Sequence, residues 1–233
     1  MSKRFDNKTA LITGASRGLG AAVATALAAE GAHVILIARS VGGLEEVDDT
    51  IKAAGGSATL VPLDLTDTDA IDGLAAPLLD RWGKLDILVG AAGTLGKLTP
   101  APQYAPKLWE DVFKLNVHAN WRLLRALDPL LRASDAGRAL FVTAEAAQQN
   151  KQYWSGYAAS KAALESLVLT YAAEIAKTNL KVNLIDPGPM ATKLRLSAYP
   201  GEDQSSLPSP GDKVPLFLDA LSTGFEQNGT LIT

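Results

Sequence analysis

Short β-branched and aliphatic runs alternate along the chain with longer Ala/Leu-rich stretches of helical period, and this rhythm limits the fold more than any other feature. The runs lie at 9–13, 33–38, 58–63, 85–89, 139–143 and 182–185, with helical patterns at 18–30, 41–54, 67–82, 105–133 and 155–178. Strands that read as continuous apolar runs, rather than alternating, belong to a sheet covered on both faces. The βαβα order predicts an α/β protein, a single-domain Rossmann-type doubly wound parallel sheet with helices on both faces. Ligands of such sheets bind at the carboxyl ends of the strands. The chain has 233 residues, 47% of them hydrophobic, which suits one domain over 1–233 with a large core. The rhythm breaks at 199–215, where Pro200, Gly201, Pro208, Pro210, Gly211 and Pro215 predict a mobile loop. A last weak strand is expected at 230–233.

Composition removes several classes of function. Twenty-two basic against 25 acidic residues give a net charge of -3, so no basic excess exists to meet nucleic-acid phosphates. There is no cysteine, and the only histidines are His33 and His118, so neither disulfides nor a metal site is expected. No apolar run reaches the roughly 18 residues of a membrane span, and no apolar signal core is readable at the start. A cytoplasmic protein that engages no membrane is the expectation.

The segment Thr13-Gly14-Ala15-Ser16-Arg17-Gly18-Leu19-Gly20 follows the first strand and opens an Ala-rich helix. Gly14, Gly18 and Gly20 allow a tight turn and close backbone approach to a pyrophosphate, held by the free N–H groups of the helix start. An ordinary βα turn is the competing reading. Its place between the first strand and first helix favours a nucleotide.

The end of the second strand bears on which nucleotide. A ribose 2′-hydroxyl is usually gripped there by a carboxylate, whereas a 2′-phosphate needs a cation. Here the strand ends in Ala38-Arg39-Ser40, with no acid. Arg39 and Arg17 are therefore read as a clamp on a 2′-phosphate, which points to NADP rather than NAD. Two solvated surface arginines are the alternative.

Two helices carry polar residues on faces that otherwise look buried. Tyr157, Lys161, Leu164, Val168, Tyr171 and Ile175 fall on one face at about 100° per residue. A lysine leading an apolar stripe is costly without a ligand or partner. A neighbouring ammonium would lower the phenol's pKa, as acid–base work near neutrality requires, and Lys161 would also reach a ribose. On the other helix Asn116 shares a stripe with Trp109, Val112, Phe113, Asn120, Leu123 and Leu127, where a satisfied core amide is an equal reading. Trp82, Trp109, Trp121 and Trp154 are read as core or interface.

Taken together, these motifs resemble the short-chain dehydrogenase/reductase family nearly end to end. The resemblance rests on the 13–20 turn as TGxxxGxG, Asp64-Leu65 after the third strand, Gly90-Ala91-Ala92-Gly93 at the NNAG position, and Asn116. Tyr157-Ala158-Ala159-Ser160-Lys161 corresponds to YxxxK, and Pro187-Gly188-Pro189-Met190-Ala191-Thr192 to PGxxxT. It implies an oxidoreductase moving a hydride between NADP(H) and a small carbonyl or alcohol. Tyr157 would be the general acid/base, Lys161 would lower its pKa and hold the nicotinamide ribose, and Asn116 would hold a relay water. Asp64 would touch adenine and Thr192 the nicotinamide amide. Ser16, Leu19, Ser40, Leu65, Ala92, Gly93, Pro187 and Gly188 complete the expected cofactor contacts. A mobile substrate lid at 194–215 and a homodimer or homotetramer packed through the two long helices are also implied.

Two positions depart from the family. Both NNAG asparagines are replaced, by Gly90 and Ala91, and the catalytic serine expected 13 residues before Tyr157 is Ala144. Thr143, Glu145, Gln148 and Gln149 are candidate substitutes. Ala144 also keeps open a nucleotide-binding sensor or scaffold of the same fold. A methyltransferase is disfavoured by the missing acid after the second strand.

Overall fold

All six apolar runs form strands, and every neighbouring pair is parallel. In this computed structural model, which describes residues 3–233, one sheet takes the order β3-β2-β1-β4-β5-β6-β7. Its strands are β1 (Thr9–Thr13), β2 (His33–Ala38), β3 (Ser57–Pro62), β4 (Ile87–Gly90), β5 (Arg138–Val142), β6 (Lys181–Ile185) and the short β7 (Leu231–Ile232). The helices are α1 (Gly18–Ala29), α2 (Val41–Ala53), α3 (Thr68–Asp72), α4 (Ala75–Trp82), α5 (Pro106–Phe113), α6 (Ala119–Arg132), α7 (Ser155–Glu174), α8 (Lys193–Ala198) and α9 (Pro210–Leu221).

Successive strand residues point to opposite faces, so each strand feeds two cores. Leu11, Ile35, Leu88 and Phe141 pack under Leu123 and Leu127 of α6 and Leu164 and Val168 of α7. Ala10, Ile12, Leu36 and Val89 pack under Val23 and Leu27 of α1, Leu44 of α2 and Phe217 of α9. Each fully buried Leu, Ile or Phe side chain contributes about 1.5–3 kcal/mol. The chain runs outward from β1 to β3, then returns to β4, so the topological switch lies between the carboxyl ends of β1 and β4.

Three long elements differ from their expected outlines. The 67–82 pattern divides at Gly73 into α3 and α4. The 105–133 pattern contains a π-turn, Lys114–His118, in which the Ala119 N–H donates to the carbonyl of Lys114, five residues back. The expected loop at 199–215 gives way at Pro210 to α9. There Ser209 and Asp212 form a reciprocal capping box, and Pro210 sits at the first helical turn, where its fixed φ suits a helix. Prolines that spacing alone reads as breakers are here a helix start. Trp109 and Trp121 lie on the surface, 36% and 45% exposed, rather than in the core.

Candidate active site

The Gly-rich turn sits at the switch point. Gly14 has φ +68°, and a Cβ there would lie 3.0 Å from the backbone of Ala92, so only glycine lets the two loops meet. Gly20 packs still closer: a Cβ would lie 2.4 Å from the Gly14 carbonyl oxygen. The Thr13 hydroxyl pins the loops together, accepting from the N–H groups of Ala91 (3.1 Å) and Ala92 (3.2 Å) and donating to the Val89 carbonyl. No side chain caps the start of α1. Its first N–H groups are thus open to an anion, and the cradle fits a dinucleotide pyrophosphate. Thr192 stands opposite, its methyl 3.8 Å from where a Cβ of Gly18 would be, and its hydroxyl caps α8 by accepting from Arg195 N–H.

Tyr157 and Lys161 are both buried on the inner face of α7. The Lys161 ammonium donates to the Val142 carbonyl at the end of β5 (2.7 Å) and lies 5.8 Å from the Tyr157 ring centre. Asn116, in the π-turn, is fully buried. Its amide accepts from Thr94 N–H (2.9 Å) and donates to the Thr94 carbonyl (2.9 Å) and to the Ser160 hydroxyl (2.9 Å). Its own carbonyl accepts from the Asn120 side chain (2.8 Å). Asn116 and Lys161 border Gly93 together: a Cβ there would lie 3.4 Å from Asn116 Oδ1 and 3.7 Å from Lys161 Nζ. A π-turn at a polar, buried position is a common mark of a functional site.

Burial dominates the electrostatics. It lowers the Lys161 pKa to about 8, against the carboxylates of Asp186 and Glu165, which raise it. Burial, helped by Asp186, pushes the Tyr157 phenol well above its ordinary value. The lowering expected from the adjacent ammonium does not offset this burial; the ammonium donates instead to the Val142 carbonyl.

At the other end of the crevice, Arg39 and Asp64 lie side by side at the ends of β2 and β3, 3.9 Å apart and largely exposed. The Asp64 carboxylate also accepts from the Thr66 N–H and hydroxyl, and despite partial burial its pKa is lowered. Arg17 is exposed, with no ion-pair partner among the described residues. Ser40 caps α2 by accepting from Gly43 N–H, and Leu65 is buried in the core, so its side chain faces away from the crevice surface.

The order of these features, from the glycine cradle to the buried Tyr–Lys pair and the loop after β6, is matched by the short chain dehydrogenase family over residues 8–203. The chain belongs to the short-chain dehydrogenase/reductase family. It is 36% identical to the oxidoreductase YciK of Escherichia coli over 217 residues, covering 92% of this chain and 86% of that one. A short chain dehydrogenase of Shigella flexneri, solved in complex with NADP, superposes with a TM-score of 0.95 at 34% identity, covering 99% and 98% of the two chains. One from Escherichia coli CFT073, solved with NADPH, gives 0.93 at 34% identity, covering 100% and 98%.

As a short-chain dehydrogenase/reductase enzyme, this chain is unusual around Ala144, which packs in an apolar cluster with Tyr157. Three candidate substitutes for the serine are committed elsewhere. The Thr143 hydroxyl donates to Glu165 (2.6 Å), Gln149 donates to Glu145, and Glu145 is largely exposed beside Lys151. Gln148 is exposed at the end of the turn that follows. Motif spacing gave no role to Thr13, quoted only as the start of the Gly-rich turn, to Asn120, quoted only on the Asn116 stripe, or to Asp186. The first is hidden in an ordinary strand end, and the others matter only through contacts made on folding. Phe141 and Asn120 fill the space beside Gly90: a Cβ there would lie 2.4 Å from the Phe141 ring and 2.9 Å from Asn120 Oδ1.

Lys161 carries a stability cost that can be measured. A pKa lowered from 10.5 to about 8 disfavours the folded protein by about 3 kcal/mol at pH 7. The cost is full below pH 8 and fades between about pH 8 and 10.5, so stability of the cofactor-free protein rises through that window. Lys161→Met is expected to remove both the cost and the rise, offset by about 1 kcal/mol for the unpaired Val142 carbonyl. Denaturant melts at pH 7 and 9.5 decide it; a variant less stable than the parent at pH 7 contradicts this view of the lysine.

Proposed function

We propose that the protein is an NADP(H)-dependent reductase that interconverts a small carbonyl compound and its alcohol. The observation that carries this reading is the buried Tyr157–Lys161 pair on α7, with the Lys161 ammonium reaching Gly93, next to the Ala92 backbone that meets Gly14 of the cradle. The bound cofactor supplies the hydride. Tyr157 donates the proton to the carbonyl oxygen, and Lys161 and a water held at Asn116 restore it; their shared border at Gly93 supports that relay. Gly14, Ser16, Gly18, Leu19 and Gly20 hold the pyrophosphate, and Asp64, with the Leu65 backbone, holds the adenine. Ala92, Gly93, Pro187, Gly188 and Thr192 line the nicotinamide end.

Arg17 and Arg39 are assigned to the 2′-phosphate, and the NADP and NADPH complexes of the related structures support that choice. NADPH is expected to bind at least tenfold tighter than NADH, about 1.4 kcal/mol. Arg39→Ala should close most of that gap, and added salt should narrow it. Arg39 first leaves Asp64, but an exposed pair of this kind contributes 0–1 kcal/mol, too little to cancel the preference. Equal affinities in calorimetric titrations of the parent protein would remove the clamp.

The lid is assigned to 194–215, a segment of short helices rather than one loop. A homodimer or homotetramer is proposed through α5–α6 and α7. Exposed Trp109 and Trp121, spaced with Phe113 and Val117 by four residues, and exposed Leu169 of α7 support it. No helix among the described residues is long and apolar enough to cross a membrane. A cytoplasmic location belongs to the same proposal.

A further inference from the structure

The substrate class follows from what surrounds Tyr157, given the reductase reading above. Its ring lies in a separate apolar cluster with Leu95, Leu98, Ala146, Trp154, Leu194 and Ala198, to which Ala144 adds a methyl where a hydroxyl would stand in the family. The wall is aromatic on one side. Trp154 meets Tyr157 edge-on at 5.9 Å and lies tilted against Tyr199 at 5.7 Å, and Tyr199 is covered by the Arg195 guanidinium at 3.9 Å. That guanidinium is held by a two-point ion pair with Glu202, at 2.6 Å for each bond. Arg195 is thus spent on the lid itself and is not available to pair with a substrate anion.

The second feature is the donor count. A developing alkoxide needs hydrogen bonds, and loss of one such donor costs about 10²–10³-fold in rate for a carbonyl that depends on it. Thr143, Glu145 and Gln149 are engaged elsewhere, and Gln148 faces solvent. Tyr157 is therefore the one hydroxyl donor within this cluster, beside the indole N–H of Trp154. A carbonyl whose neighbour already withdraws electrons, and spreads the charge that develops on oxygen, depends least on a second donor.

We infer that the site takes flat, uncharged, apolar vicinal diketones and reduces one carbonyl to a hydroxyketone. The carbonyl carbon gains a hydride from NADPH, its oxygen gains a proton from Tyr157, and NADP+ is released. Three phenyl ketones of similar size test this: 1-phenyl-1,2-propanedione, acetophenone and the phenylglyoxylate anion. The expected order of kcat/KM puts the diketone at least 100-fold above both others. Ala144→Ser should raise the rate for acetophenone at least fivefold more than for the diketone, since only the plain ketone lacks what the hydroxyl supplies. Calorimetry with NADP+-loaded protein, where reduction is blocked, should show diketone binding weakened at least tenfold by Trp154→Ala, with NADP+ affinity unchanged. Preference for phenylglyoxylate, equal gains from Ala144→Ser, or binding indifferent to Trp154 would each overturn the inference. Failure to reduce these three or any other ketone would overturn the reductase reading instead, and the calorimetric arm would still decide what the apolar site holds.

Discussion

Replacing Tyr157 by Phe is expected to reduce ketone turnover by about 10²–10⁴-fold while leaving the affinity for NADPH within twofold. The ring is what packs: it lies in the cluster with Leu95 and Ala146 and touches Trp154 edge-on, and all of that survives the change. Only the hydroxyl goes, and with it the proton that the alkoxide must receive. Loss in kcat and in kcat/KM should be equal, the signature of an interaction made in the transition state. Because burial holds the phenol well above its ordinary range, the cofactor-free parent should show no phenolate absorbance from Tyr157 at pH 9 or below, read as the ultraviolet difference from the Phe variant. Steady-state rates and calorimetric titration of both proteins check these statements. A Phe variant that turns over at the parent's rate would remove Tyr157 from the chemistry.

Gly20→Ala should have the second largest effect. An added Cβ would lie 2.4 Å from the Gly14 carbonyl oxygen and 2.8 Å from its carbon, both backbone atoms that no side-chain motion relieves. The turn must open, which moves the N–H groups that would meet the pyrophosphate. NADPH affinity is expected to fall at least 100-fold, about 2.7 kcal/mol, with overpacking costing about 1–3 kcal/mol of stability. Gly224→Ala, where the added methyl meets nothing within 4 Å, should change neither quantity. Thermal melts with and without NADPH separate lost binding from lost fold. Undiminished affinity in a folded Gly20→Ala protein would contradict the cradle.

The sheet was legible because its strands announce themselves. Val34 to Ile37 are apolar without interruption, as strands covered on both faces must be, and the β1–Gly14–α1 junction carries its own punctuation. The face of α7 was equally readable, since a period of 3.6 places Tyr157, Lys161, Leu164 and Val168 on one buried side. What spacing does not carry is where a long side chain ends. Lys161 reaches the Val142 carbonyl, and Arg39 lies beside Asp64, contacts set by strand register. The π-turn was hidden for a related reason: Asn120 takes the Asn116 carbonyl with its side chain, and nothing in a helical pattern distinguishes that from an ordinary turn. At α9 the error was one of sign, because Pro210 after Ser209 starts a helix that proline counting would end. Trp109 and Trp121 show the limit of hydrophobicity itself, which marks a face as apolar without saying whether core or another subunit covers it.

The most direct test of the central claim follows the hydride. Purified protein is given NADPH dideuterated at C4 together with 1-phenyl-1,2-propanedione, and the product is examined by mass spectrometry. A hydroxyketone carrying one deuterium on its carbinol carbon for each NADPH consumed, formed by the parent and suppressed at least 100-fold in Tyr157→Phe, is the result predicted. Tight binding of NADPH with no deuterium transferred to this or any other ketone would contradict it, and would make the protein a nucleotide binder that keeps the fold without the chemistry.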